Sequence, residues 1–179
     1  MTKALLLSLL LLGGPGCGRA PPVVQDISGL PALSGRVVDG ADLLTPAQEA
    51  RLSAESEAIE KEVGAQYVVA TVPSLNGRPI EDYSIALARH WGLGGKKRND
   101  GLLLLVAPAE RKVRIEVGYG LERRVTDPFA GRVIRERALP RFKEGNFPGG
   151  IEAASDALFA RLRSGASDSE IARRDGVVA

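Results

Sequence analysis

Four acidic residues, Asp39, Asp100, Glu122 and Asp127, have the types and spacing to do chemistry. Asp100 lies in Asn99-Asp100-Gly101, and Glu122 and Asp127 follow the pair Gly118 and Gly120 that flanks Tyr119. Carboxylates beside the main-chain carbonyls of glycine-rich loops make hard oxygen sets, suited to Ca²⁺ or Mg²⁺. A plainer alternative stands beside this one. Asp127 before Pro128 is also a helix-start pattern in which the acid only caps the helix, and Glu122 is then simply solvated. Other chemistries find less support. His90 is the sole histidine and sits beside Trp91 with no acid–nucleophile pattern around it, so it reads as structural. The segment from Gly92 to Arg98 is glycine-rich and basic, but it follows a helical stretch and lacks GxxxxGK[ST] spacing. It reads as a mobile basic rim rather than a phosphate loop. No catalytic residue is assigned.

The single cysteine belongs to the N-terminus. Lys3, the leucine-rich run from Ala4 to Leu12 and the small residues Gly13 to Gly16 compose a signal peptide over residues 1–16, too short to span a bilayer. Cys17 at its end resembles the lipidated cysteine of bacterial lipoprotein signals, although Gly14 stands where a leucine is usual. Lipidation would hold the protein on a membrane surface without threading it through. Ordinary cleavage nearby, giving a soluble exported protein, is the alternative. Assigning Cys17 to the signal leaves no thiol for zinc or for cysteine catalysis. Residues 17–34, rich in Pro and Gly, read as a tether. The formal charge of +2 falls to +1 without Lys3, which argues against nucleic-acid binding. No second apolar stretch approaches spanning length.

The elements that must position the acids follow from pattern. Val37-Val38-Asp39 is a short extended entry. Thr45 to Gln48 is a capping box, with Pro46 at the first helical position, and Leu52, Ile59 and Val63 recur at helical spacing until Gly64. Residues 67–72 are a β-branched run ended by Pro73, a buried strand. A second helix covers 80–91 and stops at Gly92. Residues 101–106 are continuously apolar, a central strand buried on both faces. A turn at Pro108 leads into Arg111 to Val117, where 113, 115 and 117 are apolar and 112, 114 and 116 charged, a strand with one dry and one wet face. Gly118 and Gly120 then form a hinge that admits backbone where a side chain would block it. Helices are expected over 128–139 and 149–162, separated by Pro140 and Pro148, with a polar tail over 164–179. The sum is an α/β fold, a small mixed sheet with helices on both faces and an antiparallel hairpin at one side. That topology gathers Asp100, Glu122 and Asp127 at one sheet edge, with Asp39 joining them if its segment runs alongside.

Gly35 to Asp39, Leu43 to Thr45, Ile80 to Tyr83, Trp91-Gly92, Asn99 to Leu105, Arg111 to Glu122 and Thr126-Asp127 together resemble the TPM domain, found in thylakoid lumen proteins and exported bacterial proteins. The resemblance covers Gly35 to Leu162 and implies a three-layer α/β/α sandwich for residues 35–163. It further implies Ca²⁺ held by acidic loop residues, here Asp39, Asp100 and Asp127. Some plant members are described as acid phosphatases, others as accessory factors of membrane complexes. The family commonly reads Asp-Asn-Gly where this chain has Asn99-Asp100-Gly101, and many bacterial members carry a C-terminal membrane segment whose anchoring role falls here to Cys17. The expectation is an exported, lipid-anchored accessory or binding module for an envelope membrane protein, with Ca²⁺. The alternative is a divalent-metal-assisted phosphatase acting on phosphomonoesters.

Overall fold

The computed structural model describes residues 29–165; the segment expected to be a signal peptide, Cys17 and most of the expected polar tail lie outside them. Four strands form one sheet: β1 (Val37–Asp39), β2 (Gln66–Thr71), β3 (Gly101–Ala107) and β4 (Lys112–Val117), side by side in that order. The first three are parallel and β4 is antiparallel to β3, with Leu102 opposite Val117 and Val106 opposite Val113. The helices are α1 (Pro46–Val63), α2 (Ile80–Trp91), α3 (Asp127–Val133), α4 (Leu139–Lys143) and α5 (Phe147–Ser164), with a π-turn over Ile134–Ala138 between α3 and α4.

Side chains of β3 alternate between two cores, which is why the run is apolar throughout. Leu102, Leu104 and Val106 pack with Leu52 and Ile59 of α1, Ile151 and Leu158 of α5, and Ala130 and Val133 of α3. Leu103, Leu105 and Ala107 pack against Ile80, Tyr83 and Leu87 of α2 on the opposite face. Each fully buried leucine contributes about 1.5–3 kcal/mol, so this strand is the centre of the fold. The fold is α/β with a mixed sheet and helices against both faces.

α1 begins as its sequence dictates. The Thr45 side chain accepts the Gln48 N–H, the Gln48 side chain accepts the Thr45 N–H, and Gly64 closes the helix in the left-handed conformation at φ 78°. The helix expected to stop before Pro140 instead continues to Lys143. Proline has no N–H to give and crowds the carbonyl four residues back, a conflict that ends most helices. Here the wider π-turn, closed by the Leu139 N–H to the Ile134 carbonyl, takes up a residue and lets the chain run on. The charged face of β4 is not wet either: Arg114 and Glu116 are only 32% and 20% exposed, because α2 covers them. Leu30 and Pro31, in the segment read as tether, are docked as well. Leu30 packs on the α2 core and the Pro31 carbonyl accepts the Trp91 indole N–H at 2.8 Å.

Candidate functional site

The sheet register separates the four acids. Asp39 ends β1 opposite Thr71, which in turn lies opposite Val106, so it stands at the carboxyl ends of the parallel strands. Asp100 precedes β3, and its carbonyl accepts the Gln66 N–H at 2.9 Å at the other end of the sheet. Asp39 therefore does not join the other three. Both its oxygens are engaged locally: one accepts the Thr71 hydroxyl and the other the Leu44 N–H at 2.7 Å, fastening β1 to β2 and to the turn before α1.

At the other edge, glycines build the site. A Cβ on Gly118 would lie 2.2 Å from the Asn99 carbonyl oxygen, and one on Gly120 2.2 Å from that of Arg98. Only bare backbone passes, and it bonds as it does so: Gly118 N–H to the Gly101 carbonyl at 2.8 Å and Gly120 N–H to the Asn99 carbonyl at 2.9 Å. The loop from Gly92 to Asp100, expected as a mobile rim, is tied down. Its Gly94 N–H donates to the Gln66 side chain at 2.8 Å, and Asn99 and Asp100 donate to the carbonyls of Gly95 and Gly94.

Above this edge lies a cleft of ≈ 490 Å³. Its floor is β4 from Arg114 to Gly118. Ile85, Ala88 and Arg89 of α2 form one wall, Glu122 and Asp127 the other, and Lys96, Asn99 and Tyr119 its end. Tyr119 is 81% exposed, a large ring left in solvent. The cleft follows the open side of the sheet. The Gly118–Gly101 hydrogen bond sets the alternation of the hairpin, so the main-chain groups of Val113, Ile115 and Val117 point away from β3. Among the described residues nothing hydrogen-bonds to them. Beneath the α2 wall a polar seam fixes the floor. The Ser84 hydroxyl and the Arg114 Nε both donate to Glu116 Oε2, each at 2.8 Å, and Arg114 also reaches the Ser84 hydroxyl at 3.0 Å.

Of the predicted ligands, Glu122 and Asp127 line the cleft, exposed and in no ion pair among the described residues. Asp127 is not the helix cap. That role falls to Thr126, whose hydroxyl accepts the Phe129 N–H at 3.4 Å. Asp100 Oδ2 pairs with Arg98 at 2.9 Å while Oδ1 is buried without a hydrogen-bond partner, and the cleft-lining position is taken by Asn99. The exchange of Asn and Asp at 99 and 100 thus moves the carboxylate off the cleft. Among the described residues no three His, Cys, Asp or Glu side chains converge as a metal cage requires. The four-carboxylate set does not fit Ca²⁺ as an assembled centre. His90 is exposed at the end of α2 and does not line the cleft. Sequence reasoning missed the α2 wall and the open β4 edge; the edge position of β4 was the signal that could have found them.

The TPM domain family model matches residues 37–161. This chain belongs to the TPM domain family. Among solved structures it is similar to the N-terminal domain of a P. gingivalis protein, with 38% identity and a TM-score of 0.69, covering 75% of this chain and 86% of that one. It also resembles the N-terminal domain of a Corynebacterium glutamicum protein (14% identity, TM-score 0.58, 79% of this chain and 88% of that one). The BA42 protein of Bizionia argentinensis is a third (19%, 0.59, 72% and 89%), and at these identities the last two carry the fold alone. No curated protein matches the chain.

Proposed function

We propose that this TPM domain is a binding module of the cell envelope, exported and anchored through a lipid on Cys17, that holds a membrane-protein partner in the β4 cleft. The observation that carries this reading is the cleft floored by a strand edge that no other described strand pairs. Such an edge offers main-chain donors and acceptors to an extended segment of a partner, while the walls select its side chains. The chemistry of the lining also favours binding over catalysis. It contains no Ser, Thr, Cys or His side chain, and Glu122, Asp127 and Tyr119, which could act there as base or nucleophile, make no hydrogen bond to one another that would activate them. Two experiments test the reading. A fatty-acid analogue fed to cells should label the wild type and leave Cys17→Ser unlabelled; equal absence of label removes the anchor. Site-specific photo-crosslinking in the cleft tests the partner, with Tyr119 the position of choice.

A divalent cation is a second reading, favoured by Glu122 and Asp127 lining one cleft. They would supply two of the six to eight oxygens that Ca²⁺ takes, the remainder being carbonyls and water. A ligand at ten times its Kd adds about 1.4 kcal/mol to stability. Millimolar Ca²⁺ should then raise the melting midpoint of the wild type more than that of Glu122→Gln/Asp127→Asn. No rise removes the cation, and with it the phosphomonoesterase alternative, which would be checked directly by comparing wild type and Asp127→Ala on a generic aryl phosphate.

A further inference from the structure

Charge is distributed unevenly over the molecule. Positions 123–143 hold seven Arg and Lys side chains against two acids, a net of +5 in a chain of total +2, so the remainder carries −3. On the α1–α5 face cations meet carboxylates: Arg51 with Glu152 and Asp156, Lys61 with Glu57, Arg163 with Glu55 and Glu62. Along α3, the π-turn and α4 they do not. Arg123, Arg132, Arg135, Arg137 and Lys143 are exposed, and among the described residues none is in an ion pair. Beside this ridge, between α3 and α5, lies a shallow depression of ≈ 330 Å³ with Arg132, Arg137 and the single acid Glu136 at its rim and Phe129, Val133 and Ala157 on its floor. The guanidiniums of Arg132 and Arg161 stand over the Phe129 ring, 5.6 and 4.7 Å from its centre.

We infer that this ridge rests on an anionic lipid surface. Arg132, Arg135 and Arg137, in no ion pair among the described residues, complement headgroup phosphates, which planar guanidiniums bind in pairs of hydrogen bonds. A membrane is the favoured polyanion because of where the chain enters. Eleven residues separate Cys17 from Gly29, a reach of at most roughly 40 Å, so an anchored domain stays within contact distance of headgroups at high effective concentration. The choice of membrane rests on the proposed anchor, but the two are tested separately.

Residues 29–165 serve for the test, since their cores close among themselves and the isolated P. gingivalis domain of matching extent folds in solution. Binding is measured by co-sedimentation with phosphatidylglycerol or phosphatidylcholine vesicles at low and high salt. Each basic residue at an anionic surface strengthens partitioning about fivefold. The wild type should bind only phosphatidylglycerol, and less at high salt. Arg132→Gln/Arg135→Gln/Arg137→Gln should lose on the order of a hundredfold. Arg135→Gln alone should lose about fivefold, which guards against a folding defect in the triple variant. Lys97→Gln/Arg111→Gln/Lys112→Gln, exposed cations away from the ridge, should bind like wild type. The inference is overturned by a folded wild type that ignores phosphatidylglycerol at low salt. A control variant as weak as the ridge variant, or tighter binding to a DNA duplex than to vesicles at matched salt, overturns it equally. Failure of Cys17 labelling in the full chain, with vesicle binding intact, would remove the anchor and leave the ridge.

Discussion

Single residues here separate holding the fold from building the cleft. Asp39→Ala should lower stability by about 1–3 kcal/mol in urea unfolding, because the Thr71 hydroxyl and Leu44 N–H lose their acceptor. It should leave any Ca²⁺-induced shift unchanged. Gly118→Ala must push backbone against the Asn99 carbonyl, at a cost of about 1–3 kcal/mol, and should disturb cleft binding as well. Deep in the larger core, Ser155 donates to the Ile151 carbonyl, so Tyr67 must be the donor in their 2.7 Å contact. Tyr67→Phe should then cost only about 0.5–1.5 kcal/mol, since neither remaining group is orphaned. Acid stability has a local contributor in Glu60. The Gln66 amide, and then the Arg36 guanidinium, hold its carboxylate below the ordinary value of 4.5 despite some burial. The native state binds this proton less readily than the unfolded chain, so its contribution is complete above about pH 4.5 and disappears as pH falls through the lowered value. Glu60→Gln should flatten the acid limb of a stability–pH profile.

Elements with a local cause were legible, and those set by neighbours were not. The capping box at Thr45, the left-handed Gly64, the alternation of β4 and the apolar run of β3 are short-range signals that sterics and burial leave little freedom to ignore. Thr45→Ala should accordingly cost about 1 kcal/mol, read as a lowered melting midpoint. The helix through Pro140 was missed because a π-turn has no composition of its own; it arises where packing against α5 outweighs a local break. The charges of β4 look solvated in sequence because the amino acids do not show that α2 lies over them. The candidate site was half legible. Glu122 and Asp127 do share one edge with the Asn99 loop, as the hairpin geometry requires, whereas Asp39 is carried to the opposite edge by the parallel pairing of β1 with β2. That pairing depends on the path of α1, which no short motif records.

At the scale of the whole molecule two surfaces divide the work. In the proposed reading the cleft along β4 would take a partner and the arginine ridge on α3, the π-turn and α4 would take lipid, so that an anchored domain would be held in orientation and not merely in proximity. The α1–α5 face, laced with exposed ion pairs worth little individually, is left as solvent-facing surface. Binding through the β4 cleft is the claim on which the rest turns. A photo-crosslinking amino acid placed at Tyr119, and in parallel at exposed Glu57 on α1, should be irradiated in intact cells expressing the full chain. A discrete adduct with one membrane protein from position 119, absent from 57 and lost in the Gly118→Ala background, is the result the proposed function predicts. No adduct at 119, or the same adducts from both positions, would contradict it.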